Sequence, residues 1–323
     1  MSSLMLNGQG KDSDLWQSLP VTSFLIHNLE EITVHLVNQF TTVVHIGFAF
    51  TMSDMKTIII PVMCYGLLSA PSMPGLQVVV HLLVWIWLYL LQFCAANQMY
   101  SPDEDGMNKP YRPIPSGLMT VKSTYTLRWA LVPICLWLSW KNGVLIPGIV
   151  LTLAFVAYNE GGLDSQWYSK NLLNAIGMVS WDVGASIMTA GAGQADMSDI
   201  SFWIVPLFSV GLIWTTIHVQ DFRDEVGDRL QGRTTFPTLL PDGSRYITSV
   251  VISSWTAGLG CFWNLSVPGY CLFLTFGCYL SLRIFFQRSE DEDKATLRVY
   301  MIWLTIARTL PFLQFHASIF MKQ

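Results

Sequence analysis

Nine stretches of the chain are apolar enough, over enough residues, to be read as membrane-spanning helices, and short polar segments separate them. A spanning helix needs about 20 mostly apolar residues. Such runs fall at 55–70, 76–97, 121–140, 142–158, 170–190, 200–220, 245–263, 266–286 and 297–316. The first is short, and Pro61 is placed to kink it. Residues 29–52 read differently. They begin Leu29-Glu30-Glu31, end Phe48-Ala49-Phe50 and interpose His35, Asn38 and His45. That mixture suits an amphipathic helix lying on the membrane surface, with a tenth span as the alternative. The expected fold class is all-α integral membrane, with nine transmembrane helices. Residues 1–28 are expected to be a flexible tail, 29–52 an interfacial helix and 53–323 the transmembrane domain.

Composition agrees with the pattern. Hydrophobic residues make up 52% of the 323 positions and charged residues only 12%, where a soluble domain carries about 25% charged residues. A water-soluble globule is excluded. The net charge of −4 says less than the placement of the charges. Lys and Arg gather after the second, fourth, sixth and eighth spans: Lys109, Arg112 and Lys122; Lys170; Arg223, Arg229, Arg233 and Arg245; Arg283, Arg288, Lys294 and Arg298. The opposite connections hold essentially Lys141. Positive residues stay on the cytosolic side, so these connections are expected to face the cytosol, in the endoplasmic reticulum membrane. The six cysteines, Cys64, Cys94, Cys135, Cys261, Cys271 and Cys278, lie inside apolar runs without a CxxC pair. They read as buried packing residues, implying neither zinc nor a disulfide framework. The first 28 residues show no basic-then-apolar leader with a small-residue cleavage site. No Gly-rich phosphate loop, Ser–His–Asp pattern or nucleic-acid-binding stripe is present, and no nucleic-acid partner is expected.

Two acidic clusters close apolar runs on the same expected side of the membrane. The first is Asn97-Gln-Met-Tyr-Ser-Pro-Asp103-Glu104-Asp105, and the second is Asp221-Phe-Arg-Asp224-Glu225-Val-Gly-Asp228. Asp221, Asp224 and Asp228 stand at i, i+3 and i+7, which on a helix is one face. Carboxylates crowded in this way repel one another. A divalent cation resolves the repulsion, and Mg²⁺ prefers oxygen ligands together with substrate phosphates. The pair of clusters therefore points to a site that grips a diphosphate while the rest of an apolar substrate lies in the bilayer.

At these residues the chain resembles the UbiA superfamily of intramembrane prenyltransferases. Asn97-Gln…Asp105…Asn108-Lys-Pro-Tyr-Arg-Pro-Ile-Pro-Ser-Gly117 is similar to the first family signature. Asp221-x-x-Asp224-x-x-x-Asp228…Gly232 is similar to the second, about 120 residues later. The resemblance runs from residue 54 to the C-terminus. It implies a helical bundle around a central cavity, with Mg²⁺ ions bridging the clusters to a prenyl diphosphate whose ionisation gives an allylic cation. On this resemblance Asn97, Asp105, Asp221, Asp224 and Asp228 are the catalytic and metal-binding set. Lys109, Arg112, Lys170 and Arg223 are the diphosphate-binding candidates, with Arg229 behind them. One position departs from the family, which has Asp four residues after the Asn; here it is Ser101, followed by Pro102. Asn97, Ser101 and Asp105 would share a face only on an unbroken helix, and a proline interrupts one. Asp103 is then placed to swing in as a replacement metal ligand, or Ser101 or water fills the gap.

Further polar and aromatic residues are candidates for lining the cavity. An ionisable group deep in a span usually faces the bundle interior. Asp182 and Arg308 read either as a structural ion pair or, for Asp182, as a cavity residue that influences a cation. His218 stands three residues before Asp221, in reach of the cluster, while His81 reads as a satisfied interior histidine. Trp181, Tyr100 and Phe222 are aromatic candidates, because aromatic faces stabilise cations without trapping them. Three readings follow. The altered first cluster and its NKPYRPIPSG ending are most similar to fungal UbiA-type terpene cyclases, which favours cyclisation of geranylgeranyl diphosphate ahead of farnesyl diphosphate. The second reading is an aromatic prenyltransferase acting on a phenolic or quinone-precursor acceptor. The third, a transporter, would suit Asp182 and Arg308 but has little use for two cytosolic acidic clusters.

Overall fold

The computed structural model describes residues 20–100, 102, 105–106, 109–191, 197–230 and 232–320, the side chains of 20–25 and 315–320 excepted. The chain divides into two units, residues 1–49 and 50–323. In the first unit, helix α1 (Pro20–Thr51) starts nine residues before the expected position 29 and runs into the start of the second. Pro20 occupies the first helical position, where its missing N–H costs nothing. The expected flexible tail is therefore helical from residue 20, and its remainder, 1–19, lies outside the described residues. Leu29, Ile32, Leu36, Phe40 and Val43 recur along one face of α1, while Glu30, Glu31, His35, Asn38 and His45 fall off it.

In the second unit every apolar run becomes a helical segment. A π-turn at Met55–Ile59 leads into α2 (Ile60–Ser69). Pro61 sits in the first turn of α2, where no donor is needed, so the irregularity precedes the proline instead of following it. Then come α3 (Leu76–Tyr100), α4 (Val121–Lys141) and α5 (Leu145–Phe155), which ends in a π-turn at Val156–Glu160. Next are α6 (Trp167–Ala190) and α7 (Ile200–Thr216), which tightens into a 3₁₀ turn at Ile217–Asp221. Two short helices follow, α8 (Glu225–Leu230) and α9 (Phe236–Leu239). The chain closes with α10 (Pro241–Phe262), α11 (Val267–Phe286) and α12 (Glu290–Phe320). Helix α12 starts seven residues before the predicted run because Glu290, Asp291, Glu292 and Asp293 suit a helix N-terminus, which hydropathy does not register. Among the described residues the chain is helical, with a single β-bridge between Gln166 and Thr234. Leu76–Tyr100, Ile200–Asp221 and Val267–Phe286 are each long and apolar enough to cross a membrane alone.

Consecutive helices pack as neighbours from α3 to α7, α10 joins α7 and α11, and α12 returns to α2. The helices approach closely at small residues, as membrane helices do. Gly184 of α6 lies against Trp85 of α3: a Cβ there would come within 2.4 Å of the indole. The indole has no room to yield, since its Nε1 donates to Ser139 Oγ of α4 at 2.9 Å. Gly184→Ala is therefore expected to lower stability by about 1–3 kcal/mol, as overpacking does. A thermal unfolding midpoint in detergent equal to that of the wild type would refute this packing argument.

Two expectations about buried side chains are corrected: His81, read as an interior histidine, is exposed on α3, and not all the cysteines are buried. Cys94 and Cys135 are buried, and Cys64 is partly so, but Cys261, Cys271 and Cys278 face outward on α10 and α11. An apolar run in a membrane protein is apolar on its outer face too, so hydropathy alone does not place a cysteine inside.

Candidate active site

Asn97 near the end of α3, Asp105 and Arg112 beyond it, Lys170 on α6, and Asp221, Asp224 and Asp228 after α7 all line one cavity. Three irregular turns border it. The π-turn of 55–59 contributes Thr57 and Ile58, that of 156–160 contributes Tyr158, and the 3₁₀ turn contributes Ile217, Gln220 and Asp221. Such departures from α geometry re-aim side chains, and they gather at functional sites.

The first cluster is built by the loop that follows Asp105. Lys109 N donates to Asp105 O (2.8 Å), Arg112 N to Lys109 O (3.0 Å) and Ser116 N to Arg112 O (3.0 Å). These turns fold Arg112 back over the carboxylate. Arg112 Nη1 donates to Asp105 Oδ1 at 2.6 Å and Oδ2 at 2.8 Å. Its Nη2 lies 3.7 Å from Asp54 Oδ2, and its buried Nε has no partner. Burial disfavours the guanidinium charge, but the Asp105 and Asp54 carboxylates outweigh it and hold the pKa above its ordinary value. Ser101 and Asp103 lie outside the described residues.

The second cluster does not sit on one unbroken helix, as its spacing had predicted. The 3₁₀ turn ends at Asp221, and α8 starts at Glu225. Backbone bonds from Asp224 N to Asp221 O (3.2 Å) and from Asp228 N to Asp224 O (2.9 Å) still carry the chain round, so all three residues line the same cavity. Lys170 Nζ donates to Asp221 Oδ1 at 2.8 Å, and both side chains are buried. Lys170 is brought there because the start of α6 is tied to the loop beyond Asp228: Trp167 N donates to Thr234 O (2.7 Å) and Thr234 N to Ser165 O (2.9 Å). Arg223 Nε donates to Asp224 Oδ2 at 3.1 Å. Asp228 lies 3.6 Å from Arg233 Nη1, and burial pushes its carboxyl above the ordinary range against the pull of Lys170 and Arg233.

Below this polar rim the cavity is apolar and aromatic. Rings follow one another from Tyr158 to Phe93 (5.5 Å between centroids), Phe93 to Phe155 (5.1 Å) and Phe155 to Trp181 (5.5 Å). A groove shares Thr57, Lys109, Arg223, Asp224, Leu297 and Met301 with the cavity and continues along Ile60, Ile302 and Ile306. It is charged at one end and apolar at the other.

The remaining candidates are placed as follows. Trp181 lines the cavity, whereas Phe222 lines the groove, beneath the Arg245 guanidinium (4.4 Å). Tyr100 is exposed, and Arg229 pairs with Glu225 at 2.8 Å, away from the cavity wall. His218 is buried behind Asp221 and bonds to Thr248 Oγ1 (2.7 Å) and Asn171 Nδ2 (3.4 Å), not to the carboxylates. Asp182 pairs with Arg308 at 2.6 Å and is absent from the cavity wall. Sequence reasoning passed over Asp54 and Arg233 as site residues and named Tyr158 only as one of many aromatic residues in or beside spans, although all three line the cavity. Arg233 had a signal, five residues past Asp228, whereas Asp54 lies in no recognised motif.

The donor set fits a hard divalent cation. Asp221 Oδ2 and Asp228 Oδ2 are buried without a hydrogen-bond partner, and the Asp224 carboxylate and the Asn97 amide line the same cavity. Among the described residues no three carboxylate, histidine or cysteine groups close round one point unaided. An ion here would complete its shell with phosphate oxygens and water, which is the habit of Mg²⁺.

Comparison with known proteins agrees with this geometry. A model of the UbiA prenyltransferase family matches residues 58–306. The fumagillin beta-trans-bergamotene synthase af520 of Aspergillus fumigatus is 32% identical over 272 residues, covering 82% of this chain and 90% of that one. The polyprenyl transferase eriF of Hericium erinaceus is 29% identical over 262 residues, covering 77% and 82%. A UbiA homolog from Archaeoglobus fulgidus, solved bound to DMAPP and Mg²⁺, superposes with a TM-score of 0.64 at 10% identity, covering 83% of this chain and 98% of that chain.

Proposed function

The chain belongs to the UbiA prenyltransferase family of integral membrane proteins, and from that premise we propose that it is a Mg²⁺-dependent terpene cyclase. It ionises a prenyl diphosphate, geranylgeranyl ahead of farnesyl; a double bond of the same chain attacks the allylic cation, and the cyclised cation loses a proton to give a neutral cyclic hydrocarbon. The observation that carries this reading is one cavity with facing acidic clusters at its rim and a run of aromatic rings beneath them.

Asn97, Asp105, Asp221, Asp224 and Asp228 would hold Mg²⁺ against the diphosphate, with Asp103 as a further ligand. The metal supplies Lewis-acid stabilisation of the charge that develops as the diphosphate departs. Lys109, Arg112, Lys170 and Arg223 bind the diphosphate oxygens. Arg112 has donors to spare, because Nη1 suffices for Asp105 while Nε is unpartnered. The C–O bond breaks, its electron pair leaves with the diphosphate, and the cation remains beside Phe93, Phe155, Tyr158 and Trp181. Those faces attract positive charge without forming a bond to it, and their packing excludes the water that would otherwise capture it. The tail of the substrate enters along the groove, with its diphosphate at the Lys109 and Arg223 end. Nine helices span the membrane, the clusters face the cytosol in the endoplasmic reticulum, and the apolar stripe of α1 lies on the membrane surface.

The resemblance to the polyprenyl transferase eriF favours a second reading, transfer of the prenyl group to an acceptor, for which a phenolic or quinone-precursor acceptor is the proposed class. Membranes containing the protein, given each prenyl diphosphate and Mg²⁺ without acceptor, decide between the two. A cyclase releases diphosphate and a cyclic hydrocarbon in equal amounts, and added phenols leave its rate unchanged. Linear alcohol as the only product, with fast turnover restored by an aromatic acceptor, would establish the transferase instead.

A further inference from the structure

The first signature carries Ser101 where the resemblance expects an acid, and the fold brings another acid to the cavity from outside either signature. Asp54 stands at the turn between α1 and the first π-turn. Its backbone is fixed from both directions: Asp54 N donates to Thr51 O (2.9 Å), and Ile58 N donates to Asp54 O (3.0 Å). Gln98 Nε2, on the residue after Asn97, donates to Phe50 O at 2.9 Å, which staples this turn to the end of α3. The Asp54 carboxylate thus comes to rest against α3, with Cys94 Sγ 3.7 Å from its Oδ2. Cys94 and Asn97, at i and i+3, share one face of α3. Asp54 therefore lies beside the face that carries Asn97. It lines the cavity with Asn97 and Asp105, and a single guanidinium, that of Arg112, reaches both Asp54 and Asp105. Across the cavity, the buried oxygens Asp221 Oδ2 and Asp228 Oδ2 have no partner among the protein groups, which independently points to a cation between the two walls.

We propose that Asp54 is a metal-binding residue of the first cluster and supplies the carboxylate that Ser101 lacks. The inference rests on the functional reading above, and it shifts part of the first cluster from the α3 end to the turn before α2. The turn is tied through Phe50 to Gln98, the residue after Asn97, so the two share an anchor.

The test is Mn²⁺ binding to the purified protein in detergent with inorganic diphosphate present, followed by the EPR signal of the free ion, so that no turnover is needed. Asp54→Asn is expected to weaken Mn²⁺ binding by roughly tenfold or more, and adding Ser101→Asp should restore it to within about threefold of the wild type. Thermal unfolding confirms that each variant is folded, and Asp54→Ser replaces the amide if that one is not. Mn²⁺ affinity unchanged by the loss of Asp54 overturns the inference. So does a loss that Ser101→Asp leaves unrepaired, or one matched by weaker diphosphate binding alone, because Asp54 would then act by holding Arg112. An equal loss in Asp103→Asn with none in Asp54→Asn assigns the ligand to Asp103 and also overturns it. A wild-type protein that binds no Mn²⁺ under these conditions overturns the functional reading itself, a separate result.

Discussion

Asp224→Ala should leave a folded, membrane-inserted protein whose turnover of a prenyl diphosphate falls by about 10²–10³ or more, the scale on which a single group that stabilises developing charge is felt. Asp224 is the clean choice among the three acids. Its side chain is about a third exposed and its partner Arg223 lies equally near the surface, so losing it leaves no buried charge stranded. Asp221→Ala should be at least as damaging to turnover, but it also strips buried Lys170 of its 2.8 Å partner, so some of its effect will be on folding. Exhaustive chelation should match the Asp224→Ala loss, and Mg²⁺ should restore activity to the wild type but not to the variant. Full turnover after chelation, or an Asp224→Ala protein within a few-fold of wild type, would remove the basis for the two-cluster mechanism. Diphosphate release measured on reconstituted protein reads both arms.

Much of the helical layout was legible because it depends on one property, the length of apolar runs, which hydropathy measures directly. The start of α12 was missed for the opposite reason: Glu290 to Asp293 join the helix through its N-terminal dipole and not through burial. What the sequence could not reveal was which side of each helix faces inward, because lipid and protein interior are equally apolar; Cys261, Cys271 and Cys278 were misplaced on that account. At the site, Asp221, Asp224 and Asp228 were legible as a group, yet the unbroken helix assumed for them is in fact a 3₁₀ turn followed by a new helix. The spacing survives because i+3 and i+4 backbone bonds carry through the break. Asp54 was invisible for a different reason. Its contact with Arg112 joins residues 58 apart across a turn, and no local periodicity encodes such a meeting. The aromatic floor was legible only as a surplus of rings, since a ring facing lipid and a ring facing a cavity read alike in sequence.

Breaking the Asp182–Arg308 pair from one side should destabilise the bundle strongly. Both side chains are essentially fully buried, their closest approach is 2.6 Å, and the link joins α6 to α12 across 126 residues. The Arg308 guanidinium also lies 5.9 Å from the Tyr65 ring of α2, so three helices meet there. A buried pair is costly to desolvate and is often replaceable by apolar residues, whereas removing one partner strands the other charge at a cost of about 3–5 kcal/mol. Arg308→Met and Asp182→Leu should therefore each lower the thermal unfolding midpoint sharply, and the double variant should recover most of the loss. That non-additivity is the signature of direct coupling in a double-mutant cycle. The same double variant separates the two roles that the sequence left open for Asp182. Trp181 lines the cavity and its neighbour Asp182 does not, so a purely structural pair predicts a double variant with the wild-type product profile. A folded double variant that makes a different set of hydrocarbons would instead mean that the Asp182 charge reaches the cation through the cavity wall. Single variants as stable as the wild type would show that the pair is no structural link at all.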